Sequence, residues 1–211
     1  MPKPLRRITL LVVLGVLHGA AYAAPEGGPL TMSEAMTTLP DHTRYRVEIA
    51  SADLSPQQVE QLARMIGDAA RGQHFYGAVY GYRPVGGGTT EYKMRSGLHS
   101  RDAGRRGALA DCAAARGADD GECVLVGDVL PDDWSAGTPE LSHVAVEALR
   151  ATAGSLPDNV VVAKSEDGDG FEIRSGTDVR DATVAACNEA NASAGLPQDC
   201  LVVIDDLAGT R

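Results

Sequence analysis

The chain has 211 residues, with 29 acidic side chains against 19 basic ones and a formal charge of −10. A surface of that sign repels phosphate backbones and anionic lipid, so nucleic acid and acidic membrane faces are excluded as partners. Aromatic residues make up only 4% of the chain, so its core has to be built from Val, Leu, Ala and Ile.

Residues 1–23 have the order of a secretory signal peptide. Lys3, Arg6 and Arg7 give the positive start, residues 8–17 an apolar run, and Ala21-Tyr22-Ala23 a small-x-small cleavage site before Ala24. The run is shorter than the roughly 20 residues a bilayer span needs, so cleavage is expected rather than anchoring. No later segment is long or apolar enough to span. Losing three basic residues leaves 16 against 29 acidic ones. The remainder suits one domain or two intimately packed halves, periplasmic or secreted.

Residues 24–53 read as a loosely ordered leader, 26–41, followed by a strand over 44–50. A first unit then spans 54–134 and a second 135–211. Leu54-Ser55, Val59-Glu60 and Leu62 match Leu141-Ser142, Val146-Glu147 and Leu149 at the same spacing. Ser55-Pro56 is an N-cap with proline in the first helical position, and Val59, Leu62, Ala63 and Ile66 share one helical face. A strand follows at 75–82, matched by 160–164. Turns come next, at Gly86-Gly87-Gly88 in one unit and Asp167-Gly168-Asp169-Gly170 in the other.

The strands after those turns match closely. Tyr92-Lys-Met-Arg-Ser-Gly97 reappears as Phe171-Glu-Ile-Arg-Ser-Gly176. Ala-rich helices are expected over 101–116 and 179–192, each holding one cysteine. Glu122-Cys-Val-Leu-Val-Gly-Asp-Val-Leu130 then reappears as Asp199-Cys-Leu-Val-Val-Ile-Asp-Asp-Leu207. These last strands are nearly continuous apolar runs, as in a buried central strand. The expected fold is α+β: two tandem helix-hairpin-helix-strand units, an approximate two-fold axis and a mixed sheet.

Four cysteines in an exported chain imply two disulfides, and no C-x-x-C pair argues for zinc. Sequence alone permits three connectivities. Duplication of a unit carrying its own pair selects Cys112 with Cys123 and Cys187 with Cys200.

An Ala-rich helix ending in cysteine, a short polar loop and a cysteine opening an apolar strand resemble a family of small exported proteobacterial proteins. That family is built on a domain of unknown function, found singly or in tandem. The two-unit version is the nearer resemblance, through Phe75-Tyr76-Gly77-Ala78 and through Cys123-Val124-Leu125-Val126 leading to Pro131-Asp132-Asp133-Trp134. The resemblance covers roughly residues 54–207. Some members carry the name 5-aminolevulic acid synthase, which implies a pyridoxal-phosphate cofactor on a lysine. Lys164 is the comparable residue here, on an expected strand with no phosphate-cradling Gly-rich turn beside it.

The remaining chemistry has two readings at each position. Arg95 and Arg174, with Ser96 and Ser175, could form an anion site at a helix N-terminus, or serve as caps and ion pairs. Asp128 and Asp205 are paired carboxylates for acid–base work or turn residues. The stretch from Glu166 to Gly170 resembles part of a calcium loop but lacks the further ligands, which favours a hairpin turn. His42, His74, His99 and His143 show no metal-ligand spacing. Asn191-Ala192-Ser193 is a formal glycosylation sequon.

The leading expectation is a non-catalytic envelope protein that binds a partner protein or small ligand and needs no cofactor. Its surface would lie between the units near Tyr76, Tyr80, Tyr82 and Trp134, unless these aromatics fill the core. A second reading is a hydrolase using Asp128 or Asp205 with His74 or His99. A third is the pyridoxal-phosphate synthase of the family name.

Overall fold

The computed structural model describes residues 28–50, 54–72, 75–154 and 159–207. The signal segment, its cleavage site and His74 lie outside these residues.

Helix α1 (Met32–Thr38) comes first, then strand β1 (Tyr45–Ile49). The first unit follows as α2 (Pro56–Ala70), β2 (Gly77–Tyr82), β3 (Glu91–Arg95), α3 (Arg101–Ala115) and β4 (Val124–Pro131). The second contains α4 (His143–Thr152), β5 (Val160–Lys164), β6 (Phe171–Ser175), α5 (Arg180–Ser193) and β7 (Leu201–Asp205). The helices begin where local chemistry stops the preceding loop. Ser55 and Gln58 form a reciprocal capping box on α2, whose first residue is proline. Ser100 caps α3 and Ser142 caps α4 through side-chain oxygens.

The expected mixed sheet is absent. Two separate sheets form, of four strands in the order β1-β4-β2-β3 and of three in the order β6-β5-β7, and every strand pair is antiparallel. The physical reason is connection length: short loops at 83–90 and 165–170 close the hairpins, and the last strand of each unit returns beside the first strand of its own hairpin. Among the described residues the one parallel contact is a bridge from Leu30 to Ile204.

Residues matched in sequence hold matched register positions. Gly81 pairs with Val124 and Tyr92 where Lys164 pairs with Leu201 and Phe171. Ala78 pairs with Asp128 and Arg95 where Val161 pairs with Asp205 and Arg174. Both inner pairings also shift register once, after Val79 and after Val162.

In the first sheet Val129 joins Ile66, Ala70 and Val79 in a core under α2. The next residue back, Asp128, points to the opposite face, where α3 packs. Close approach of α3 depends on small residues. A Cβ on Gly104 would meet the Gly77 backbone at 3.1 Å. In the second sheet α4 and α1 share one core with Val160, Val162 and Ile204, while α5 packs against β5, β6 and β7.

From residue 28 onward the leader is structured, where a loosely ordered segment was expected. Thr31 and Glu34 form a capping box on α1, and Ala35 and Leu39 enter the core of the second unit. Leu30 bonds Val203 and Asp205 of β7, and the Met32 N–H donates to Asp206. Arg150 of α4 clamps the carbonyls of Leu39 and Pro40. A segment that precedes the first unit thus completes the core of the second.

Candidate functional site

The most distinctive polar cluster lies at the junction of the units. His99, just before α3, is fully buried. Its Nε2 lies 2.9 Å from the Gly170 carbonyl, and its Nδ1 accepts the Ser142 backbone N–H at 3.2 Å. These partners require the neutral Nε2–H tautomer. Burial, with Lys164 nearby, holds the His99 pKa down at about 3. Its ring also meets Phe171 edge-on at 6.1 Å.

Lys164 reaches across the same junction. Its ammonium donates to the Glu140 carbonyl at 2.9 Å and the His99 carbonyl at 3.4 Å. Burial lowers its pKa to about 8, opposed by the charge of Glu140. Burial also raises the Glu140 carboxyl above its ordinary value. That carboxylate accepts from Trp134 Nε1 at 3.0 Å and from the Arg101 N–H at 3.3 Å. The Arg101 guanidinium lies 4.9 Å from the centre of the Trp134 ring.

Asp128 and Asp205 do equivalent work in the two units. Asp128 is buried and bonds both Arg101 and Arg105 at 2.6–3.0 Å. Asp205 is buried too, with Arg180 at 3.4 Å and the Leu207 N–H at 3.0 Å. Arg101 and Arg180 are each the first residue of their helix, so one ion pair ties helix start to strand end in both units. Both carboxylates are engaged by these contacts, and His99 bonds backbone groups rather than a carboxylate.

Arg95 holds Asp111 through two bonds of 2.7 and 2.8 Å, while Arg174 pairs with Glu172 on its own strand at 2.9 Å. Ser96 and Ser175 do not cap the following helices: Ser100 caps α3, and α5 starts from Val179 without a side-chain cap. Tyr76 is wholly buried with Phe75 and Leu130, so it presents no binding surface. Burial drives its phenol pKa upward. Tyr82 is buried with its hydroxyl donating to the Ala115 carbonyl at 3.3 Å. Tyr80 and Trp134 remain half-buried. The aromatics therefore divide, two into the interior and two to its rim.

The Asp167–Gly170 segment is a turn. Ser165 and Asp199 hold it from inside, and Arg106 takes the Asp167 carboxylate at 2.6 Å. No group of three or more metal-ligating side chains converges among the described residues. His143, the first residue of α4, bonds the His42 carbonyl. Asn191, the acceptor of the sequon, is buried beneath the 197–200 loop. A groove of about 410 Å³ lies instead between α2 and β1, lined by Tyr45, Val47, Ala63, Arg64 and Asp68.

Pyridoxal phosphate does not fit around Lys164. The amine is enclosed by two backbone carbonyls, and the residues nearest it in charge are the acidic Glu140 and Glu166, which repel a phosphate.

Among the described residues the junction contacts run one way. His99 of the first unit seats against Phe171 and Lys164 of the second. The matching positions for the reverse contact are Asp178, Tyr92 and Gly81. Asp178 and Tyr92 are exposed. Sequence reasoning missed this junction because its members, His99, Glu140 and Lys164, are not duplicated. A signal was present in the repeat: lysine stands where the first unit has glycine.

No protein-family model, curated protein or solved structure matches the chain.

Proposed function

We propose that the protein is an exported, disulfide-stabilised binding module of the cell envelope, formed by head-to-tail duplication of one helix-hairpin-helix-strand unit. One observation carries the reading. The groups best suited to acid–base chemistry, His99, Asp128, Asp205 and Lys164, are all engaged in joining helix to strand or unit to unit. Polar groups used this way give a rigid scaffold, and rigidity with two disulfides suits a binder outside the cytoplasm. Duplication is supported by the matched registers and by one disulfide in the same place in each unit. The relation is head to tail because the junction is one-sided.

The face offered to a partner is the rim of Trp134 and Tyr80, beside Arg46 and Arg101. Arg46 fixes this rim by bonding the carbonyls of Pro131, Asp132 and Trp134. A photo-reactive side chain placed at Tyr80, in protein expressed with its native export signal, tests the reading. Periplasmic protein beginning at Ala24 and giving one discrete adduct is the expected result. Cytoplasmic protein, or a hydrolytic activity lost in a folded His99→Gln variant, overturns it.

A further inference from the structure

The one-sided junction leaves two complementary surfaces unused. In the second unit, the row Phe171–Lys164–Leu201 crosses three strands and receives the loop before α3, with His99 at its tip. In the first unit, the same row is Tyr92–Gly81–Val124. Here Tyr92 is 43% and Val124 64% exposed. The loop before α5, corresponding to the one that carries His99, contains Thr177 and Asp178, and both are exposed. Gly81 itself is buried beneath the Tyr92 ring, so the first unit presents Tyr92 and Val124 as an uncovered surface, the socket, and an unused plug stands on the second.

We propose that this protein associates with further copies of itself head to tail, the 177–179 loop of one molecule seating on the Tyr92–Gly81–Val124 row of the next. The occupant follows from continuity with the contact already made inside the chain, since the plug and socket occupy equivalent positions in both cases. The differences between the two sockets compensate one another. Lys164 supplies the donor for a plug carbonyl in the internal contact. Gly81 supplies none, but Tyr92 carries a phenolic hydroxyl where Phe171 has no polar atom. His99 satisfies the Ser142 N–H at the internal socket. At the outer socket the equivalent Ser55 N–H already bonds Gln58 at 2.9 Å, so the incoming loop needs no imidazole and has Asp178 instead. A contact of this kind is heterologous, and it propagates unless its rotation closes a ring.

The inference rests on the head-to-tail duplication, but its test is separate. Sedimentation velocity of the purified full chain, with both disulfides formed, should show species growing beyond the dimer as concentration rises. Val124→Glu disables the socket and Thr177→Arg the plug. Both positions are exposed, and each variant should keep the wild-type melting midpoint while sedimenting as a monomer. Mixing the two should yield dimers and nothing larger, because the ends left over are the disabled ones. A monomer at every concentration overturns the proposal. So does association that survives either substitution, or a mixture of the two variants that stays monomeric. Cross-linking at Tyr80 and N-terminal sequencing would still judge the envelope-binding reading independently.

Discussion

His99 shows how one side chain acquires a role that depends on acidity. Its folded pKa of about 3 lies below the ordinary value of 6.5, so the unfolded chain binds the extra proton between those limits. Stability is therefore fully present above the ordinary value and falls as pH drops towards the folded one. The slope approaches about 1.4 kcal/mol per pH unit while the whole proton difference persists. Urea titrations of wild type and His99→Gln between pH 4 and 7 should differ by this slope, with the variant the flatter. Lys164 acts in the same sense at higher pH, where stability should rise between its folded value of about 8 and its ordinary 10.5. Tyr76 gives the opposite kind of prediction. Its buried hydroxyl has no hydrogen-bond partner among the described residues. Tyr76→Phe should therefore stabilise the fold by about 1 kcal/mol in the same assay. At this scale the sequence was only partly readable. The matched positions of Asp128 and Asp205 were readable in the repeat, but their arginine partners were not. The alternative in which the aromatics fill the core holds for Tyr76 and Tyr82 but not for the half-buried Tyr80 and Trp134.

Elements were the most readable level, because 3.6-residue spacing, serine caps and glycine turns all act within a few neighbours. The expected helix at 101–116 and the strand at 160–164 agree closely with Arg101–Ala115 and Val160–Lys164. The exception is α1. Seven residues offer too little periodicity, and the helix depends on packing against α4 and β7, far away in sequence. Its start was nevertheless marked by Thr31 and Glu34. Thr31→Ala should cost about 1 kcal/mol through the lost cap, read as a lower urea midpoint. On α3, Gly104→Ala forces a methyl group against the Gly77 backbone, and neither element has a side chain that can move aside. A loss of about 1–3 kcal/mol is expected, with both disulfides retained.

For the whole molecule, the repeat foretold the disulfides better than the sheets. Cys112 bonds Cys123 and Cys187 bonds Cys200, each within its own unit. Each closes a short loop and should contribute about 3 kcal/mol in the chain-entropy model. Peptide mapping of Cys112→Ser should find Cys123 free and Cys187 still joined to Cys200, with a lowered melting midpoint. Sheet organisation was less readable, since apolar strands do not say whether two units share one sheet or keep two. The domain boundaries also hid a long-range contact, because the leader was assigned to neither unit. Synthesis delivers a chain from its N-terminus, so α1 appears long before the strand it rests on. Met32 must wait for Asp206, 174 residues later, before its N–H finds its partner. Until then the apolar sides of α1 and α4 lack the sheet that covers them. A chain that has not yet reached β7 would therefore display greasy surface to proteases and chaperones, and the arrival of Ile204 and Asp206 conceals it.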